Sequence, residues 1–248
     1  MSPPSWRWPR ILAHRCGGAL APENSLVGLE RARAAGCRAV EFDAMLAACG
    51  TPVVIHDETL ARTTEGAGRV DQTPWSALSE LRLRDRDGAL TDERLPALHQ
   101  VLDACQRLGL MANVEIKPSQ GRDAQTGQRV AEQVARWAAG AAESPVLSSF
   151  SEVALAAAAQ AAPGVARALL LELPDDGALT RAHHLGCVAL IINVAWLDAA
   201  WIAAAHGAGL GIACYTENDA ARGRAHLAGG LDALITDWPD RFAAIAQD

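Results

Sequence analysis

The sequence is almost without lysine: of its 22 basic side chains only Lys117 is one, and Tyr215 is its single tyrosine. It also lacks a basic block, since the arginines are scattered and the net charge is −7. Nucleic acid and anionic membranes are held by clustered cations that displace counterions, so neither is expected as a partner. The six cysteines, at 16, 37, 49, 105, 187 and 214, form no CxxC pair and no short ligand spacing. That excludes a thiolate zinc site and a disulfide framework, and it fits reduced cytosolic thiols. No stretch approaches the roughly 18 apolar residues that cross a bilayer. The first ten residues carry no apolar h-region, so an unexported, cytoplasmic chain is expected.

What is present reads as one α/β domain over residues 1–248, a length that closed α/β barrels reach as single units. Short β-branched runs alternate with Ala/Leu-rich amphipathic segments, the pattern of a parallel sheet with helical crossovers. Strands are predicted at 11–13, 39–42, 52–55, 111–116, 146–147, 166–171, 188–192, 211–214 and 233–235. Helices are predicted near 26–35, 97–108, 125–139, 151–161, 177–185, 197–206 and 218–228. Nine strand candidates compete for eight barrel places. Only Ala44 to Thr51 separates the second from the third, with no room for a helix, so one of those two is not a standard barrel strand. Residues 57–96 form the one long irregular stretch, with a short helix after Pro74, and are expected to be an inserted lid or small subdomain.

Polar residues fall at or just beyond the end of each strand run, where a closed parallel barrel gathers its chemistry. Glu41 and Asp43 are two apart in an extended run, so both carboxylates leave one face while Val40 and Phe42 make the other apolar. The same period places Asn113, Glu115 and Lys117 together. Taken alone, Glu115 beside Lys117 is equally a plain ion pair; with Glu41 and Asp43 it makes a third oxygen ligand. Three carboxylates without His or Cys at ligand spacing favour a hard ion, Mg²⁺ or Ca²⁺. His14 and His56 each end an apolar run and are followed by a charged residue. Imidazole titrates near working pH, so the two can serve as acid and base across a phosphoryl group. Arg15 and Lys117 are placed to hold its oxygens, and a lone ammonium among so many guanidinium groups points to a site that uses a compact charge.

His14-Arg15, Pro22-Glu-Asn-Ser25, Glu41-Phe-Asp43, Val54-Ile-His-Asp57 and Val114-Glu-Ile-Lys117 resemble, in order and spacing, the glycerophosphodiester phosphodiesterase family. Leu147-Ser-Ser-Phe150, Tyr215-Thr216 with Asn218, and Thr236-Asp237 with Pro239 extend the resemblance over about residues 11–240, and the cytoplasmic bacterial members look most similar. The resemblance implies a TIM-type (β/α)8 barrel with a small insertion after the second histidine motif. It implies Glu41, Asp43 and Glu115 as ligands of one divalent ion, His14 and His56 as the acid–base pair, and Arg15 and Lys117 as phosphate contacts. Phe150 and Tyr215 would border the glycerol end, Glu23 and Asn24 would fix the first loop, Asn24 or Ser25 would cap the following helix, and Asn193 would be a lip residue. Two departures stand out: Cys16 replaces the glycine usual after His-Arg, and Ser25 replaces a threonine. Either the backbone at 16 tolerates a side chain or Gly17-Gly18 takes the bend, and a thiol so near the site is expected to make activity sensitive to thiol reagents.

The expected reaction is metal-dependent hydrolysis of a small soluble glycerophosphodiester, such as glycerophosphocholine or glycerophosphoethanolamine, to sn-glycerol 3-phosphate and an alcohol. One rival is a phosphodiesterase of a related diester, lysophospholipase D-like, which needs a wider apolar approach to the mouth, expected from 57–96. Another is a non-catalytic barrel that binds a phosphate ligand, a role for which an acid–base pair is superfluous.

Overall fold

The computed structural model describes residues 8–140 and 144–243. In chain order the strands are β1 (Ile11–Ala13), β2 (Ala39–Leu46), β3 (Pro52–Val54), β4 (Arg82–Arg84), β5 (Leu90–Arg94), β6 (Met111–Ile116), β7 (Val146–Ser149), β8 (Ala166–Leu171), β9 (Ala189–Asn193), β10 (Gly211–Tyr215) and β11 (Ala233–Thr236). The helices are α1 (Leu26–Ala34), α2 (Trp75–Leu78), α3 (Leu98–Leu108), α4 (Asp123–Ala138), α5 (Glu152–Ala161), α6 (Ala178–His184), α7 (Ala199–Gly207) and α8 (Ala220–Ala228). Eight strands run parallel in the order β1-β2-β6-β7-β8-β9-β10-β11, and β11 pairs with β1 to close the barrel. The third predicted run is the one left out: β3 folds back antiparallel on the extended end of β2, pairing Pro52 with Leu46 and Val54 with Ala44.

Strand parity sorts side chains into two layers. Leu12, Ala39, Met111, Val146, Ala168, Leu170, Ala189, Ile191, Ala213, Ala233 and Ile235 fill the barrel, while Ile11, Ala13, Val40, Phe42, Val114, Ile116, Leu147 and Leu169 pack outward against the helices. Alanine at many lining positions lets a narrow barrel close without voids. Glu41 and Asp43 share the parity of Ala39, and Asn113, Glu115 and Lys117 share that of Met111. These polar residues therefore stand on the barrel's inner face, at its C-terminal end. Their environment is largely dry, with Asn113 wholly buried and Asp43 nearly so.

Between β3 and α3 the chain builds the insertion. A turn at 70–72, α2 and the antiparallel β4–β5 hairpin cover a separate apolar cluster of Met45, Ala47, Val53, Ile55, Leu60, Val70, Leu78, Leu83 and Leu95. The hairpin was not foreseen, because Leu90-Thr-Asp-Glu-Arg94 has no β-branched core and lies at the surface. Ser25, Ser151, Asp198 and Asp219 cap α1, α5, α7 and α8 with side-chain oxygens that accept backbone amides. Ser25 is thus the cap of α1, and Asn24 is free for another task.

Candidate active site

Strand register assembles the centre. Asp43 lies opposite Glu115 on β6, and Ala13 lies between Val40 on β2 and Thr236 on β11. One residue further on, His14 therefore stands between Glu41 and Asp237. The carboxylate oxygens of Glu41, Asp43 and Glu115 lie within 4.8 Å of one another, and all three residues are buried. Burial first, then the neighbouring Asp43, push the Glu41 carboxyl up to about 7 and the Glu115 carboxyl well above its usual range. Asp43 is held low: burial opposes ionisation, but His56, Lys117 and Arg15 outweigh it, and Asn24 Nδ2 donates to Oδ2 at 2.9 Å. A cluster that cannot ionise fully by itself, built only of oxygens, fits a hard divalent cation. These are the three sequence-predicted ligands.

Each histidine is held by a carboxylate through Nδ1. His14 Nδ1 is 2.6 Å from Asp237 Oδ1, and its Nε2 faces Glu41 Oε2 at 3.9 Å. Asn218 fixes Asp237 by donating from Nδ2 to Oδ2 at 2.8 Å and accepting its amide at 2.9 Å. Burial lowers the His14 pKa, but the Asp237 bond and the Glu41 charge more than restore it, so the net shift is upward. His56 Nδ1 is 2.6 Å from Asp57 Oδ1, and Lys117 Nζ donates to its Nε2 at 2.7 Å. Burial and the nearby Arg15 and Lys117 charges draw His56 down against the pull of Asp43. Lys117 also lies 3.6 Å from both Asp43 Oδ1 and Glu115 Oε1.

Arg15 is tied to Glu23 at 3.0 Å, while its Nε lies buried, 3.8 Å from Asp43 Oδ2, with no hydrogen-bond partner. Asn113 Nδ2 is likewise buried and unpartnered. Two idle donors beside a carboxylate cluster suit an anionic, oxygen-rich guest. Arg62 of the insertion bridges Glu23 at 2.7 Å and Asp57 at 2.8 Å, tying the loops behind the two histidines together.

Phe150 packs edge-on to Tyr215, with ring centroids 5.7 Å apart, and both line a small cavity with His14, Glu41, Asn113 and Glu115. Tyr215 donates to Glu172 Oε2 at 2.6 Å, and Asn193 Nδ2 donates to Oε1 at 2.9 Å. All the predicted site residues thus meet at one mouth, with Asn193 at its edge through Glu172.

The chain does tolerate a side chain at 16: Arg15, Cys16 and Gly18 all have positive φ, at 50°, 73° and 58°. Gly18 must be glycine, because a Cβ there would lie 2.2 Å from the Asp237 carbonyl oxygen. The expected reactivity at Cys16 is corrected by its burial: the thiol is fully enclosed and its pKa is pushed well up by desolvation. Asp57, Asn218 and Asp237 stand in the motifs that carry the family resemblance, but the sequence assigns them no role. Their signal was the acid beside each histidine, and for Asp237 that adjacency exists only through strand register.

The family model "Glycerophosphoryl diester phosphodiesterase family" matches residues 14–241. A glycerophosphodiester phosphodiesterase of Bacillus altitudinis is 29% identical, over 96% of this chain and 98% of that protein. A phosphodiesterase of Oleispira antarctica, solved in complex with the product sn-glycerol-3-phosphate, superimposes with a TM-score of 0.87 at 28% identity, covering 97% of this chain and 98% of that one. A glycerophosphodiester phosphodiesterase of Agrobacterium tumefaciens gives a TM-score of 0.77 at 26% identity, over 96% of this chain and all of the other.

Proposed function

The chain belongs to the glycerophosphoryl diester phosphodiesterase family, and from that premise we propose that it is a metal-dependent hydrolase releasing sn-glycerol 3-phosphate and an alcohol from glycerophosphodiesters. One observation carries the reading: a buried carboxylate trio flanked by two histidines, each held at Nδ1 by its own acid. A phosphate-binding barrel has no use for that pair. Glu41, Asp43 and Glu115 would hold the divalent ion, Mg²⁺ or Ca²⁺, which when bound polarises a phosphoryl oxygen. Arg15 and Lys117 clamp the remaining phosphate oxygens, the former through its idle Nε.

His56 is the base. Its Nδ1–H is committed to Asp57, so Nε2 carries the lone pair, and that pair is uncovered when Lys117 turns to the phosphate. It takes the proton of the attacking oxygen as that oxygen bonds phosphorus. His14 is the acid. With Nδ1–H on Asp237, its protonated Nε2 gives a proton to the alcohol oxygen as the P–O bond breaks. Trapping a cyclic glycerol phosphate would make the substrate's own hydroxyl the attacker; label from isotopic water in the first-formed phosphate would make it water. The six free cysteines and the acidic net charge suit a cytoplasmic enzyme acting on small solutes, and among the described residues no helix is long and apolar enough to cross a membrane.

The test is release of glycerol 3-phosphate from glycerophosphocholine and glycerophosphoethanolamine in EDTA, then with Mg²⁺ or Ca²⁺ restored. Metal-dependent release is expected, and His14→Ala should abolish it while metal binding by calorimetry persists. No release from any glycerophosphodiester overturns the reading. A lysophospholipase D-like second activity has one observation in its favour: Phe150, Leu173 and Trp196 after β7, β8 and β9, and Val153 at the start of α5, are exposed. On the insertion Leu90 is exposed as well, and turnover of lysophosphatidylcholine measures this activity.

A further inference from the structure

His14 belongs to two spaces. One is the small cavity with Phe150, Tyr215 and the carboxylates. The other is a cleft of about 680 Å³ between the barrel mouth and the insertion, lined on the far side by Arg62, Arg84, Arg86 and Asp87 and on the near side by Asp237 and Trp238. His14 is the one residue shared by the two linings. A phosphodiester has two arms, and the phosphoryl group that joins them must lie at the histidines. With the glycerol arm against Phe150 and Tyr215, the other arm crosses His14 into the cleft.

We infer that this cleft receives the departing alcohol, and that Arg84 and Arg86 select an alcohol bearing an anionic group, of which the serine headgroup is the simplest. The inference rests on the phosphodiesterase reading. The arginines of the cleft are not equal. Arg62 is neutralised by Glu23 and Asp57. Arg84 spends Nε and Nη1 on the carbonyls of Thr64 and Gly88, both at 2.9 Å, so its position is fixed while its charge is uncompensated. Arg86 is exposed over the Trp238 ring, 5.2 Å from its centroid, and neither Arg84 nor Arg86 has an ion-pair partner among the described residues. A guanidinium with open donors takes a carboxylate or phosphate in a planar, two-point contact.

The same surroundings disfavour a quaternary ammonium. Trp238, the aromatic ring of the cleft, already has Arg86 and, at 4.2 Å, Arg241 beside it. Asp85 uses Oδ1 on the amides of Asp87 and Ala89, which shapes the hairpin turn. Asp87 has no ion pair among the described residues and faces the cleft as a complement to a primary ammonium. A zwitterionic alcohol meets both signs.

Glycerophosphoserine and glycerophosphoethanolamine differ only by the serine carboxylate, so their kcat/KM ratio isolates the arginine contact. In the metal-loaded enzyme the ratio should favour serine by roughly fivefold or more, the yield of about 1 kcal/mol from a partly exposed ion pair. In Arg84→Gln/Arg86→Gln it should fall toward one. Arg84 braces the hairpin, so Arg86→Gln alone, at an exposed position, decides the matter if the double variant does not fold; there the ratio should also fall. Equal turnover of the two diesters by the unaltered enzyme, or a serine preference that survives in the variants, overturns the cleft assignment and leaves the phosphodiesterase reading intact. No turnover of any glycerophosphodiester overturns that reading and the assignment with it.

Discussion

Replacing Asp237 by asparagine tests the proton path at its least visible point. Asp237 is anchored on both oxygens, by Asn218 at 2.8 Å and His14 at 2.6 Å, so the amide can be accommodated in nearly the same volume. Two things change. The amide nitrogen can donate to His14 Nδ1, which must then carry a lone pair; the neutral ring keeps its hydrogen on Nε2, and the doubly protonated imidazolium that acts as acid is disfavoured. The imidazolium also loses its charged partner while its burial, which lowers its pKa, remains. A hydrogen bond to a charged group contributes ~1.5–3 kcal/mol, so loss in the transition state lowers kcat by about ten- to a hundredfold. The sign in pH follows directly. His14 acts in its protonated form, Asp237 holds its pKa up, and Asp237→Asn therefore moves the alkaline limb of the kcat–pH profile to lower pH. Asp237 lines the same cleft as Arg15, so the test is read on kcat and its pH limb and not on KM. A kcat within about threefold of the parent, with the alkaline limb unmoved, would show that His14 is not the acid.

Metal-induced stabilisation should grow with pH. Glu41, with its carboxyl at about 7, and Glu115, also raised, bind protons more tightly folded than unfolded, so without metal their contribution to stability is fully present below pH 4.5 and is lost as pH rises through the folded values. A cation must displace those protons, so the rise in Tm on adding Mg²⁺ or Ca²⁺ should be small at pH 5 and large at pH 7.5; a rise independent of pH refutes the shared-proton account. Cys16→Gly should be nearly neutral: relief of left-handed backbone at φ 73° returns ~1–2 kcal/mol, offset by the buried thiol and the extra freedom of unfolded glycine. Thermal melts check it, and a change above ~2 kcal/mol breaks that balance. Iodoacetamide should modify Cys49 first, since it is exposed and its thiol is drawn down to about 7 by the Thr51 hydroxyl, and activity should survive; loss of activity with mass added at Cys16 would contradict the burial.

The barrel was legible because its signals are local. Period-2 runs gave Met111–Ile116 and Ala166–Leu171 without error, and the missing crossover between β2 and β3 announced that one of them lay outside the ring. The β4–β5 hairpin was not legible. Its strands are short and mostly polar, and they form because Leu83 of β4 joins the apolar cluster around Leu60, a tertiary contact that no window of sequence records. The same limit divides the site. The lining carboxylates follow from parity on β2 and β6, whereas the partner of His14 lies 223 residues away and is brought beside it only by β1 pairing with β11.

Lys117 shows how far composition can carry such a reading and where geometry must take over. The scarcity of lysine marked the position, and the structure supplies the reason for a point donor there: one ammonium meets His56 Nε2 at 2.7 Å and lies 3.6 Å from each of Asp43 and Glu115, three partners in different directions. A planar guanidinium fork commits its donors to one plane and cannot serve that arrangement and then turn to a phosphate. The residue that balances the carboxylates before substrate arrives is thus the one that guards the lone pair of His56. In the proposed mechanism, arrival of the phosphate would draw the ammonium away from the base, so that substrate binding itself readies His56 for the proton it takes.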